Sequence, residues 1–288
     1  MDRNTFQGVV VPMITPVTPA GAIDEPAVKR IVDHLIAGGS HGIFPLGTTG
    51  EAASLSVSQR EHLVAATVQA VAGRAMVYAG ISSNSYGDSV STAETFARLG
   101  VDAVVAHPPC YYTLTDEQIE LYLARLADRV SQPLVLYNIP QTTHLSIPIP
   151  AIVRLSKHGN IAAIKDSSPD GERITALLQA TGGRGGFPVL LGNSVLFSRG
   201  LKAGGAGLVP SGAHLAPRQY RQMYDASVAN HWDEVEKLQH TTDAVCSSYG
   251  GRGHTLGESL ARLKFQLERH GLCSRHMLPP LTDHPGAA

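Results

Sequence analysis

Asn160-Ile161-Ala162-Ala163-Ile164-Lys165-Asp166-Ser167-Ser168 reads as a buried strand that ends in a lysine: a short apolar run with Gly159 before it and Ser167-Ser168-Pro169 after it. An amine at the mouth of an apolar strand loses part of its hydration. That favours the neutral, nucleophilic form, which can make a Schiff base. The same pattern also describes a lysine that leaves a sheet and carries its charge into water. The strands around it decide between the two.

Working outward, Val/Ile/Leu-rich runs alternate with longer segments of helical period, the signature of a parallel sheet with crossover helices. Eight strands are expected, at residues 8–14, 42–46, 75–81, 103–107, 134–138, 161–165, 188–192 and 206–210. Helices are expected between them, among others at 25–37, 58–71, 87–99, 117–130 and 173–181. Ser56-Val-Ser-Gln59 has the spacing of a capping box, and Gly38-Gly39 and Gly100 follow helix ends. Eight strand-helix rounds close an α/β (β/α)8 TIM barrel, here residues 1–225. Two further amphipathic helices, 232–247 and 256–270, form a C-terminal helical appendage (226–288) of the same structural unit. Gly182-Gly-Arg-Gly-Gly186 reads as a loop and the tail 279–288 as loose.

Composition narrows the class. The 288 residues fit one barrel or two ordinary domains, since such barrels run to about 250 residues as one unit. Charges nearly cancel and no basic run stands out, which argues against nucleic acid and anionic membrane as partners. The start, Met1-Asp-Arg-Asn-Thr-Phe-Gln7, has no apolar leader core, and no stretch approaches the roughly 18 apolar residues of a membrane span, so a soluble, cytoplasmic protein is expected. Cys110, Cys246 and Cys273 are odd in number and widely spaced, which indicates neither a disulfide framework nor a cysteine zinc site.

In such a barrel the reacting groups come from the C-terminal ends of strands and the loops after them. Gly47-Thr48-Thr49-Gly50-Glu51 follows the second strand, and its glycines allow a tight turn whose N–H groups suit a carboxylate or phosphate. The same residues fit a capping box in which Glu51 reaches back to Thr48. Pro108-Pro109-Cys110-Tyr111-Tyr112 follows the fourth strand, and the fifth ends in Tyr137-Asn138. Any of these tyrosines can also be core filler with its hydroxyl at the rim. Val135 and Tyr137 share one strand face, as do Ile161, Ala163 and Lys165 on the next strand. If both faces point inward, Tyr137 and Lys165 meet, and a phenol there can relay protons for carbon-carbon bond chemistry. The histidines show no paired metal spacing, and no strand is followed by a nucleotide-binding glycine motif, so no metal and no cofactor are expected.

These residues, in this order, resemble the dihydrodipicolinate synthase and N-acetylneuraminate lyase superfamily of class I aldolases. The likeness runs from residue 9 to about 272. It includes Thr15-Pro16, the GTTGE loop, the Pro-x-Tyr-Tyr loop, Tyr137-Asn-Ile-Pro140, Ile164-Lys165-Asp166 and Leu190-Leu-Gly192. The resemblance implies that Lys165 forms the Schiff base with pyruvate or another 2-keto acid and that Tyr137 is the general acid/base. It implies that Thr48 lies between Tyr137 and a second tyrosine, matched by Tyr111, supplied by a neighbouring subunit of a homotetramer. Thr48 and Thr49 then match the pyruvate carboxylate nest, and Gly192 and Val209 the keto-acid pocket.

Two departures bear on the substrate. Where dihydrodipicolinate synthases carry an arginine for the carboxylate of aspartate semialdehyde, this chain has Thr142, and a neutral hydroxyl cannot make that bidentate contact. Where sialic acid lyases carry an Asp-Glu pair, this chain has Ser194-Val195. What remains resembles aldolases or dehydratases of 2-keto-3-deoxy sugar acids, or of hydroxy-oxoglutarate. Ser167, Asn193 and Ser211 are candidates to meet a polyol tail or to act as loop hydrogen-bonders. The alternatives are a lysine-pathway synthase with a substitute cation from Arg252 or His254, and a non-catalytic barrel that binds a keto acid.

Overall fold

The computed structural model describes residues 2–251 and 253–286. Eight parallel strands close a barrel in chain order: β1 Gly8–Val11, β2 Gly42–Ile43, β3 Met76–Gly80, β4 Ala103–Ala106, β5 Leu134–Asn138, β6 Ile161–Asp166, β7 Val189–Leu191 and β8 Gly207–Leu208. The helices are α1 Glu25–Ala37, α2 Val57–Val71, α3 Tyr86–Leu99, α4 Asp116–Arg129, the short α5 Pro140–Thr143, α6 Ile149–Leu155, α7 Gly171–Thr181, α8 Phe197–Lys202 and α9 Pro217–Val228. Beyond the eight rounds, α10 Trp232–Tyr249 and α11 Leu256–Arg269 form the C-terminal extension. Among the described residues no helix is long and apolar enough to cross a membrane.

Local chemistry starts the helices where the sequence places them. The Asp24 side chain accepts from the Ala27 amide to open α1, and its buried residues Ala27, Val28, Ile31, Val32 and Leu35 repeat on one face. The Ser56/Gln59 capping box is formed at α2, and equivalents at Thr115/Gln118 and Thr255/Glu258 open α4 and α11. Alternate strand residues feed two cores. Val10, Tyr78, Val105, Val135, Tyr137, Ala163, Leu190 and Val209 pack inside the barrel with Phe6 and Phe44. Their neighbours Val9, Val11, Val104, Leu136 and Ile164 pack outward against the helices.

One irregularity places the strand ends. Leu134 pairs with Ile161, but Val135 pairs with Ala163, so Ala162 is an extra residue on β6. The shift brings Tyr137 opposite Lys165 and Asn138 opposite Asp166. Without it Tyr137 would face Ile164, one step short of the lysine.

The tail differs from its expected looseness. Asp283 accepts from the Met277 amide, His284 stacks on Phe265 of α11, and Leu281 packs on the small core of Leu260, Ala261 and Met277. These contacts tie the segment to α11 as far as residue 284, and residues 287 and 288 of the expected tail lie outside the described residues.

Candidate active site

Lys165 and Tyr137 end adjacent strands and face the barrel axis, each about 5% exposed or less. The lysine Nζ lies 4.1 Å from the centre of the Tyr137 ring and 5.2 Å from that of Phe44. Among the described residues it makes no ion pair or hydrogen bond, so it is lodged between two aromatic faces without a counter-ion. Gly192 leaves room for it: a Cβ there would stand 3.0 Å from Lys165 Cε and 2.1 Å from Ser167 Oγ. Leu190 flanks the lysine from β7, and Val209 is buried in the same inner core.

The outward-facing residues after this pair lock the strand ends. Asp166, fully buried, accepts from Asn138 Nδ2 at 3.0 Å, from Arg173 Nε and Nη2 at 3.2 and 3.1 Å, and from the Ser168 amide at 2.8 Å. Asn138 Oδ1 takes the Ile147 amide at 2.9 Å, and Arg173 also donates to the Ile147 carbonyl at 2.8 Å. This network holds β5, β6 and α7 together one residue beyond Tyr137 and Lys165.

The loop after β2 supplies the opposite wall. Thr48 Oγ1 and the Tyr137 hydroxyl are 3.3 Å apart. Left-handed Leu46 (φ 61°) and Glu51 (φ 54°) bracket the turn, in which the Gly50 and Glu51 amides bond to the Gly47 and Thr48 carbonyls. The amides of Thr48 and Thr49 find no acceptor among the described residues, and both side chains are half-buried. Free adjacent N–H groups of this kind suit a carboxylate. The capping-box alternative is overturned: Glu51 starts a short turn without any side-chain cap. Its carboxylate pairs with Lys264 of α11 and accepts from the Leu278 amide at 3.1 Å.

A cavity of about 640 Å³ opens beside Tyr137, with Thr48, Arg60, His107, Cys110 and Thr142 in its wall. The C-terminal extension closes its far side through Leu256, Leu260 and Leu281. Thr142 donates its hydroxyl to the Ile139 carbonyl at 3.3 Å, leaving its oxygen as an acceptor. Two wall residues went unflagged in the sequence. His107 stands edge-on to the Tyr137 ring at 6.3 Å and donates from Nδ1 to the Pro108 carbonyl. Burial pushes its pKa below the ordinary value, so it stays neutral near pH 7. Arg60 bonds through Nε to the Leu55 carbonyl at 3.1 Å, and burial draws its guanidinium below the usual range.

The remaining candidates lie apart. Ser211 bonds the Tyr249 hydroxyl of α10 at 2.8 Å and Asn193 reaches the Ser168 carbonyl at 3.5 Å, so both serve the loops in this structure. Tyr111 and Tyr112 stand out from the surface, 79% and 68% exposed, while Asn84 Oδ1 holds their loop by accepting from the Cys110 and Tyr111 amides. His254 is exposed, and Arg252 lies outside the described residues.

The sequence profile described as the Dihydrodipicolinate synthetase family matches residues 5–285. The chain belongs to that family. Like other dihydrodipicolinate synthetase family members it is a lyase of the class I aldolase type. It is 35% identical over 77% of its length, and 74% of the relative's, to an uncharacterized DapA-like lyase of Thermofilum pendens. It is 31% identical to a 4-hydroxy-tetrahydrodipicolinate synthase of Phenylobacterium zucineum, covering 98% of this chain and 94% of that one. Among solved structures, it superposes with a TM-score of 0.89 at 25% identity on a chloride-inhibited dihydrodipicolinate synthase of Acinetobacter baumannii in complex with pyruvate, covering 97% and 94% of the two chains.

Proposed function

We propose that this protein is a pyruvate-dependent class I lyase acting on 2-keto-3-deoxy sugar acids, as an aldolase or a dehydratase. The observation that carries it is the register-set pair Lys165 and Tyr137, with the tyrosine hydroxyl in reach of Thr48. In the cleavage direction the Lys165 amine adds to the C2 carbonyl. Tyr137 passes a proton to the carbinolamine oxygen, which leaves as water and gives the protonated imine. The C3–C4 electron pair then moves toward the imine nitrogen as Tyr137 takes the proton of the C4 hydroxyl. The aldehyde departs and an enamine remains, which is protonated at C3 and hydrolysed to pyruvate and free lysine. The keto-acid carboxylate rests on the Thr48 and Thr49 amides, with Gly192 and Val209 lining the pocket. Thr142 meets the polyol end, while Asn193 and Ser211 stay bonded to their own loops.

The exposed Tyr111 supports a homotetramer in which this side chain completes the proton relay of a neighbouring subunit. A second reading, a synthase that joins pyruvate to aspartate semialdehyde, is favoured by one observation: Arg60 puts a cation in the cavity wall where Thr142 offers none.

The test is trapping. Borohydride added with pyruvate should leave a reduced pyruvyl mass on the Lys165 peptide, and Lys165→Ala should abolish both adduct and turnover. A folded parent protein with no adduct would sink the proposal. Pyruvate binding that survives Lys165→Ala, with no turnover in the parent, would instead favour a non-catalytic keto-acid-binding barrel.

A further inference from the structure

Glu51 is an unusual residue to end a site loop. It adopts a left-handed backbone (φ 54°) without being glycine, and its side chain is turned away from water, 1% exposed. Such a conformation persists only where surrounding contacts over-determine it. The contacts come from the far end of the chain. Lys264 of α11, also 1% exposed, pairs with one carboxylate oxygen, and the Leu278 amide donates to the other at 3.1 Å. Lys264 is itself fixed by donating to the His276 carbonyl at 2.7 Å. On the other flank of the loop, Thr15 donates to the Gly50 carbonyl at 2.5 Å.

A buried ion pair adds little net stability, because desolvating both charges offsets most of their attraction. What it does supply is a fixed point. Glu51 is three residues from Thr48, and among the described residues no ladder bond of the sheet holds the 47–51 turn, whose strand β2 is two residues long. The free Thr48 and Thr49 amides therefore take their position from the turn's own bonds and from the two clamps on Gly50 and Glu51.

We infer that Lys264 is a positioning residue for the lyase reaction: acting through Glu51, the C-terminal extension holds the Thr48-Thr49 amides where they receive the keto-acid carboxylate. The inference rests on the proposed Schiff-base chemistry, and its test separates the two. Lys264→Met alone strands a buried carboxylate, so the informative protein is the double variant Glu51→Gln/Lys264→Met. It removes both charges, keeps the volume and leaves an oxygen for the Leu278 amide. Glu51→Gln alone is the second variant, since glutamine can still accept from Lys264.

Borohydride trapping is followed against pyruvate concentration, alongside steady-state cleavage and thermal unfolding. The double variant should need about tenfold more pyruvate for half-maximal trapping, with kcat held within a factor of about three and the adduct still on Lys165. Glu51→Gln should shift in the same direction by less. A lowered Tm with an unchanged pyruvate requirement in both variants would mean the pair is merely structural and overturn the inference. So would a fall in kcat with no change in the pyruvate requirement. Absence of any adduct in the parent would instead overturn the Schiff-base proposal.

Discussion

The two halves of this barrel are held by different means. Between β5 and β6 five register pairs run from Leu134↔Ile161 to Asn138↔Asp166, whereas β8–β1, β1–β2 and β2–β3 share two each. On the short-strand side, side chains do what the ladder does elsewhere. His41 Nδ1 accepts from the Val9 amide at 3.0 Å, His214 Nε2 accepts from the Ile14 amide at 3.1 Å, and Glu51 is clamped by Lys264. The pair proposed to react, Lys165 and Tyr137, sits on the laddered half, where backbone register sets its placement. The loop proposed to bind the carboxylate sits on the cross-linked half. Damage to the first should stop chemistry, and damage to the second should weaken binding or stability.

The largest effect belongs to the laddered half. Tyr137→Phe keeps the ring against Lys165 and removes only the hydroxyl, so turnover should fall by roughly two to four orders of magnitude while pyruvate trapping remains measurable. Turnover within a factor of a few of the parent would make Tyr137 a core residue and the comparison void. Next comes the lock behind the pair. Arg173→Met leaves the fully buried Asp166 carboxylate, among the described residues, with Asn138 and one amide as partners, which should cost about 3–5 kcal/mol in urea unfolding. A loss under about 1 kcal/mol would show that Asn138 and Ser168 suffice.

Much of this was legible in the sequence because its signals are local. Apolar runs bounded by Gly or Pro mark all eight strands, and α1 begins and ends where its Asp24 cap and apolar stripe require. Strand ends were overdrawn where apolar residues continue past the ladder. Pro12 has no N–H to offer, so β1 stops at Val11 inside the expected 8–14, and left-handed Leu46 ends the run after β2. Ile161, expected on the face of Lys165, packs in the outer core, but the shared inner face of Val135 with Tyr137 and of Ala163 with Lys165 followed from the two-residue period. The bulge at Ala162 that aligns them did not, because an inserted residue leaves no mark on composition. Glu51 misled for a clear reason: its distance from Thr48 is that of a capping box, and its partner Lys264 is more than two hundred residues away. Arg60 and His107 were missed likewise, since a lone charged or titratable residue acquires meaning only from the cavity it faces.

The cross-linked half should be the acid-sensitive one. His214 must be neutral to accept from Ile14 while donating from Nδ1 to the Ser211 carbonyl, and burial pushes its pKa from the ordinary 6.5 down to about 4. Between those values the unfolded chain binds a proton that the folded chain does not. The stabilisation is therefore complete above pH 6.5 and is lost as pH falls toward 4, by about 2–3 kcal/mol at pH 4.5. His41, shifted in the same direction, adds to the trend. Urea unfolding at pH 7 and 4.5 checks it: His214→Gln, which keeps an acceptor but does not titrate, should show a smaller acid loss than the parent. Equal losses would assign acid sensitivity elsewhere.

The smallest expected effect asks which half receives the far end of the second substrate. Thr142 extends from the laddered side and Arg60 from the cross-linked side, both in the wall of one cavity. An unpaired carboxylate in a partly closed site costs several kcal/mol, so an anionic acceptor must reach Arg60. A neutral hydroxyaldehyde needs only an acceptor for its hydroxyl, which the Thr142 oxygen provides. In a panel of aldehydes with pyruvate, glyceraldehyde or glycolaldehyde should therefore exceed aspartate semialdehyde and glyoxylate in kcat/KM. Thr142→Arg should move the preference toward the anionic aldehydes by about tenfold, while Arg60→Met should leave glyceraldehyde within a factor of about two. If aspartate semialdehyde instead leads the panel and Arg60→Met removes that lead, the acceptor is anionic and the cross-linked half, not Thr142, sets the specificity.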